Sequence, residues 1–209
     1  MKKILSIGEA TLDCFVFLKD AEVRCQLNHA NCMLCIHYAD KILAEKLVFT
    51  VGGNAANTAV SFARLGLESQ LYSVLGKDDN GQRIAVALDK EGVDLRYVQK
   101  FDGMTSYSTA IVFQGERSLL VYHEPRDYNL PNFEPVDWVY LTSMGKSYKP
   151  AYEKALAFVK KTGAKLSFNP GSFQLKDGVA VLQKYFGATE ALFVNKEEAM
   201  LLTEKAAST

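Results

Sequence analysis

The chain has 209 residues, with 24 Lys+Arg against 24 Asp+Glu and a formal net charge of zero. That length supports one substantial core with a small appendage, and balanced charge without a basic stripe argues against nucleic acid as a partner. No apolar run is long enough for a membrane span, and Glu9 and Asp13 follow the short run Ile4 to Ile7 too closely for a signal peptide, so a cytoplasmic protein without membrane partners is the expectation.

Lys3 to Ile7 is a short apolar run stopped by Gly8 and reads as a buried parallel strand. Ala55 to Leu65 has helical spacing and is closed by Gly66. Gln70 to Leu75 reads as a strand. Asn80 to Glu91 reads as a helix with Ile84, Val86 and Leu88 on its apolar side, ended by Gly92. Val136 to Leu141 is a strand, Ala151 to Lys161 a helix, Lys165 to Phe168 a strand. Leu175 to Tyr185 reads as a helix despite Gly178, Ala191 to Val194 as a strand, and Lys196 to Glu204 as a further helix. Repeated units of this kind predict an α/β fold, an open and mostly parallel sheet flanked by helices. Two segments interrupt the alternation. Residues 15–50 read as strands and turns. Residues 105–123 read as a hairpin turning at Gln114-Gly115-Glu116. Together they predict a small β lid able to exclude water from a bound ligand. The whole of 1–209 is then one partial α/β domain, with Ala206 to Thr209 a frayed end.

The richest segment is Val51-Gly52-Gly53-Asn54-Ala55-Ala56-Asn57-Thr58-Ala59, with Gly66 and Gly76 beyond it. Two glycines let the backbone approach a ligand closely. The helix that follows points free N–H groups at the same spot. Asn54 and Asn57 add amide donors and acceptors. Such a corner suits a polyhydroxylated substrate.

The spacing of Gly52-Gly53, Asn57, Ala59, Gly66 and Gly76 resembles the N-terminal signature of the ribokinase-like (PfkB) sugar and nucleoside kinases. The resemblance implies a ribokinase-like fold whose β lid often serves as a homodimer contact. It implies ATP-dependent phosphorylation of a hydroxymethyl group on a sugar or nucleoside, with Mg²⁺ bridging phosphate oxygens. It makes Asp13 the hydroxyl-binding aspartate, with Gly52, Gly53, Asn54 and Asn57 beside it. Asn195-Lys196-Glu197-Glu198 matches the family's Asn-x-x-Glu motif, which sets Asn195 toward the triphosphate and Glu198 toward Mg²⁺ held through water. Read without the family, Asp13 is also a plausible turn or helix cap, and Asn195 with Glu198 an ordinary helix-capping pair. Asn169-Pro170 stands at another strand end, where open α/β sheets bind ligands.

The family's later Gly-Ala-Gly-Asp motif, source of the anion hole and the catalytic base, does not occur in this sequence. The expectation is therefore the N-terminal portion of a kinase, inactive by itself. The alternative is a non-catalytic sugar- or nucleoside-binding protein without the nucleotide half. Gly145-Lys146-Ser147 is no phosphate loop, because Tyr140 stands where the first glycine is required. Cys32 and Cys35 form a C-x-x-C near Cys25 and His29, a candidate structural Zn²⁺ set and the basis of a third reading as a zinc-stapled interaction module. Reduced thiols, or a Cys32–Cys35 disulfide, are the other options. Tyr107 and Phe113 on the lid hairpin are candidates to stack on a base or to pack across strands.

Overall fold

The computed structural model describes residues 1–25 and 32–203. Its main sheet has five parallel strands: β1 (Lys3–Ile7), β6 (Glu68–Tyr72), β11 (Trp138–Thr142), β12 (Lys165–Asn169) and β13 (Ala191–Leu192). They lie in the order β13-β12-β11-β1-β6. From β1 the chain continues to β6 on one side and later fills the other side with β11, β12 and β13. The direction of winding thus changes at β1. Ligands of open α/β sheets bind outside the carboxyl ends of the strands at such a point.

Strand alternation decides what each face carries. Leu5, Ile7, Val139, Leu141, Leu166 and Phe168 point to one face and join a core with Tyr152, Leu156 and Val159 of helix α3 (Lys149–Thr162). Gly163 ends α3 at φ +72°, where a glycine carries no steric penalty. The other face receives α1 (Asn54–Arg64). Ala55, Ala56 and Ala59 of α1 have no exposed surface, so three small side chains let the helix lie close to β1 and β6. Ile84 and Leu88 of α2 (Asp79–Lys90) complete that second core with Leu12, Leu71 and Leu75.

The lid is a four-stranded sheet of β2 (Thr11–Leu18), β5 (Ala44–Gly52), β9 (Tyr107–Phe113) and β10 (Glu116–Tyr122), ordered β10-β9-β2-β5. It begins at Thr11, four residues before the expected start. The hairpin turn falls at Gln114 and Gly115, both with positive φ, as a tight two-residue connection requires. A separate two-stranded ribbon joins β3 (Glu22–Cys25) to β4 (Cys32–Cys35).

Several expected elements differ. The strand expected over 70–75 is broken at Ser73. Its first part pairs with β1, while β7 (Val74–Gly76) pairs with β8 (Gln99–Phe101). Ser73 serves the junction, its hydroxyl accepting from the Ala10 N–H (3.0 Å) and its carbonyl from the Gln99 N–H (2.9 Å). The helix expected over 175–185 splits into α4 (Ser172–Lys176) and α5 (Val179–Phe186), because Gly178 adopts φ +86°. Val86 is 43% exposed; two residues past Ile84 it has turned about 200° around the helix. The strand expected over 191–194 is only Ala191–Leu192, and α6 spans Lys196–Thr203. Among the described residues no helix is long and apolar enough to cross a membrane.

Candidate functional site

The carboxyl end of β1, the start of β2 and the amino end of α1 meet at the two glycines. Gly53 has φ +90°, and a Cβ there would come 2.4 Å from the Glu9 carbonyl oxygen. Only glycine fits this crossing. Gly52 has a different reason to be small: a Cβ would lie 2.0 Å from Asp13 Oδ2. The Asp13 carboxylate is seated directly on the backbone of Gly52.

Asp13 lies within β2, so it caps neither a helix nor a turn. Its Oδ1 accepts hydrogen bonds from the Thr11 hydroxyl (2.9 Å) and the Ser108 hydroxyl (2.5 Å). Thr11 shares its strand face at i−2, and Ser108 is its register partner on β9. Next to this carboxylate, α1 begins with no side-chain cap and no acidic residue in its first turn. Its leading N–H groups and the positive end of its dipole are thus left for another acceptor. One carboxylate acceptor, two hydroxyls and open backbone donors within one corner can hold several hydroxyls of a polyol at once.

Asn54 Nδ2 donates to Asn169 Oδ1 (3.0 Å), and Asn169 Nδ2 donates to the Phe193 carbonyl (2.7 Å). Thr142 Oγ1 also donates to Asn169 Oδ1 (3.1 Å). A continuous amide path therefore runs from the glycine corner across β12 to the segment entering α6. There Asn195 and Glu198 form a reciprocal capping box. Glu198 N donates to Asn195 Oδ1 (2.8 Å) and Asn195 N to Glu198 Oε2 (2.9 Å). The ordinary capping reading of this pair is realised. Glu198 Oε1 takes no part in the box, which leaves one carboxylate oxygen for a hard cation or its water.

Asn57 is placed apart from Asp13. It is exposed and lines a cleft with Leu12, Phe49, Val60 and Arg83, on the opposite side of β2. Tyr107 is register partner of Leu12 and packs against the α1–α2 core, so it is a packing residue.

The zinc expectation is corrected. Cys25 stands opposite Cys32 in the β3–β4 register, and the two form a disulfide. Cys32 and Cys35 lie on one extended strand, which turns side chains three apart to opposite faces. A C-x-x-C that binds metal needs a turn instead. His29 lies outside the described residues. Among the described residues no cluster of three or more metal-ligating side chains occurs.

Sequence reasoning missed a buried polar cluster beside the corner. Glu9 is only 4% exposed. The Tyr128 hydroxyl donates to its Oε1 (2.7 Å), and His123 Nδ1 lies 2.7 Å from its Oε2. Burial, with the Glu9 charge behind it, pushes the Tyr128 phenol well above its ordinary range, so the ring remains a donor. Tyr128 also accepts the Gly145 N–H (2.8 Å), which places the Gly145-Lys146-Ser147 backbone in a structural role. The available signal was an acid directly after Gly8 at a strand end. Its partners are more than 100 residues away, with a separation of 119 to Tyr128, and no spacing rule links them.

Fold and corner together define an open, parallel α/β sheet protein with a second, smaller β sheet and a polar corner at the switch point of the main sheet. The Arabidopsis thaliana ribokinase solved with ribose and ATP superposes with a TM-score of 0.73 at 20% identity, over 97% of this chain and 63% of that one. A Methanocaldococcus jannaschii nucleoside kinase gives a TM-score of 0.71 at 20% identity, over 99% and 66%. The chain belongs to the pfkB family carbohydrate kinases, matching that family over residues 1–209. An aminoimidazole riboside kinase of Salmonella typhimurium is 31% identical over 151 residues, 68% of this chain and 45% of the relative. A fructokinase of Vibrio alginolyticus is 29% identical over 173 residues, 73% of this chain and 55% of the relative. The chain thus spans about half the length of the curated relatives it matches.

Proposed function

We propose that the protein built on this chain transfers the γ-phosphoryl group of ATP to a hydroxymethyl group of a sugar or nucleoside. The observation that carries the reading is the Asp13 carboxylate, seated on Gly52 next to the uncapped start of α1 and flanked by Thr11 and Ser108. Fructokinases and a riboside kinase among the relatives agree with a polyhydroxylated substrate. Asp13 accepts from substrate hydroxyls, and the Gly53–Asn54 backbone donates to them. Asn54 transmits its position to Asn169. Asn57 opens onto the cleft on the other side of β2, so we assign it no substrate contact.

At the other end of the amide path, Asn195 and Glu198 stand toward the triphosphate. Glu198 Oε1 suits water-mediated Mg²⁺, a hard cation that prefers oxygen ligands and keeps its waters. When bound, the ion would neutralise charge on the phosphate oxygens. The chain contains no Gly-Ala-Gly-Asp, so we assign no catalytic base within it; this chain alone binds substrate without turning it over. Exposed Leu47 and Phe49 on β5, and Leu119 to Tyr122 on β10, leave apolar lid edges that favour pairing with a second copy.

The test is ADP release by the protein that carries this chain, with D-fructose, D-ribose or aminoimidazole riboside. The reading predicts sugar-dependent ADP formation, reduced about 10- to 100-fold by Asp13→Asn, the scale of one hydrogen bond to a charged group. Sugar binding without any effect of ATP would instead establish the non-catalytic binding protein.

A further inference from the structure

His123 sits between the lid and the sheet. Val121 of β10 is register partner of Ser108, and Ser108 of Asp13, so the three share one lid face. His123 lies one residue beyond the end of β10, where the chain leaves the lid sheet. From below it meets Glu9, whose backbone carbonyl is in contact with Gly53. The imidazole therefore stands beside the glycine corner, at the end of the lid hairpin.

Its orientation is fixed on two sides. Nδ1 lies 2.7 Å from Glu9 Oε2, a close contact that is not an in-line hydrogen bond. The ring meets Phe173 edge-on, with centroids 5.3 Å apart. Glu9 is itself held by Tyr128, so the carboxylate has little freedom to follow a moving ring. Even so, the His123 side chain remains 31% exposed. An imidazole turned with Nδ1 toward Glu9 keeps Nε2 on the far edge of the ring. A substrate hydroxyl both gives and accepts hydrogen bonds, so it pairs with Nε2 in either protonation state.

We infer that His123 is a specificity-determining substrate contact: Nε2 hydrogen-bonds a hydroxyl other than the one held by Asp13, and Glu9 sets the ring's orientation. This rests on the substrate-binding reading above. Discrimination follows, because a sugar without a hydroxyl at that place leaves the oriented nitrogen unpaired.

The experiment is NMR of the histidine ring nitrogens of this chain during titration with D-fructose and with D-ribose. The sequence has three histidines, and His29→Gln and His37→Gln assign the His123 signals. The inference predicts His123 ring shifts that saturate with bound sugar. It also predicts that H123N and H123Q weaken the better sugar about three- to tenfold, the worth of one net hydrogen bond. E9Q should move the free-state ring signals and weaken the same sugar. If D13N abolishes binding while the His123 signals stay fixed and H123Q binds as wild type, His123 is merely structural and this inference alone falls. If neither sugar binds the wild-type chain, the substrate reading falls and this inference with it. The wild-type titration needs no His123 variant, so a misfolded variant does not blunt the test.

Discussion

Gly52→Ala separates the two roles of the glycine pair. Gly52 does not occupy a positive-φ conformation, so alanine strains no backbone there. Its Cβ would stand 2.0 Å from Asp13 Oδ2 and 2.4 Å from Cγ, against an ordinary separation of about 3.5 Å. The carboxylate must retreat by more than about 1 Å, breaking its bonds to Thr11 and Ser108. Hydrogen bonds to a charged acceptor contribute about 1.5–3 kcal/mol each, and water recovers part of that at a part-buried group. The expected cost is about 2–3 kcal/mol, or about 4–12 °C in Tm for a chain of this size. The decisive assay is a double-mutant cycle by urea and thermal unfolding. In an Asp13→Ala background the obstructing carboxylate is gone, and G52A should cost less than about 0.5 kcal/mol. Additivity of the two substitutions within about 0.5 kcal/mol would refute the proposed seat.

Asp78 caps α2 through Gly81 N and binds both the hydroxyl and the N–H of Thr105; Asp78→Ala should cost about 1–2 kcal/mol in urea unfolding. Burial pushes the Asp78 carboxyl up, but the bonds from Thr105 and Gly81 outweigh it and leave it below its ordinary value of 3.8. Its contribution is then present above that value and lost as pH falls through the lower folded value, so D78N should flatten the acid limb of the stability profile. Glu198→Gln still accepts from Asn195 N–H and should change stability by less than about 0.5 kcal/mol, while the proposed Mg²⁺-dependent phosphoryl transfer should fall at least about tenfold. The disulfide-free variant C25S with C32S should shift the main unfolding transition by less than about 3 °C, because β3–β4 is a separate ribbon outside both cores.

What could be read from the sequence followed local physics. β1 and β11 are buried on both faces, so they show as apolar runs whatever surrounds them. Gly52 and Gly53 were legible as positions of close approach, while Asp13 was singled out by the family resemblance. Features set by distant contacts were not legible. Ser73 breaks its strand because Gln99 and Ala10 claim its polar groups. Val86 was misplaced by counting apolar residues without following their angle around the helix. The cysteines suggested a metal site until the β3–β4 register set Cys25 against Cys32. Glu9, His123 and Tyr128 meet only because the lid folds back over the end of β1.

The most direct test of the substrate corner is calorimetric titration of D-fructose into this chain and into its Asp13→Asn variant, with thermal unfolding of both as a check on folding. The account predicts measurable binding by the wild type and a loss of about tenfold or more in the variant at nearly unchanged stability. Equal affinities in two folded proteins would contradict it.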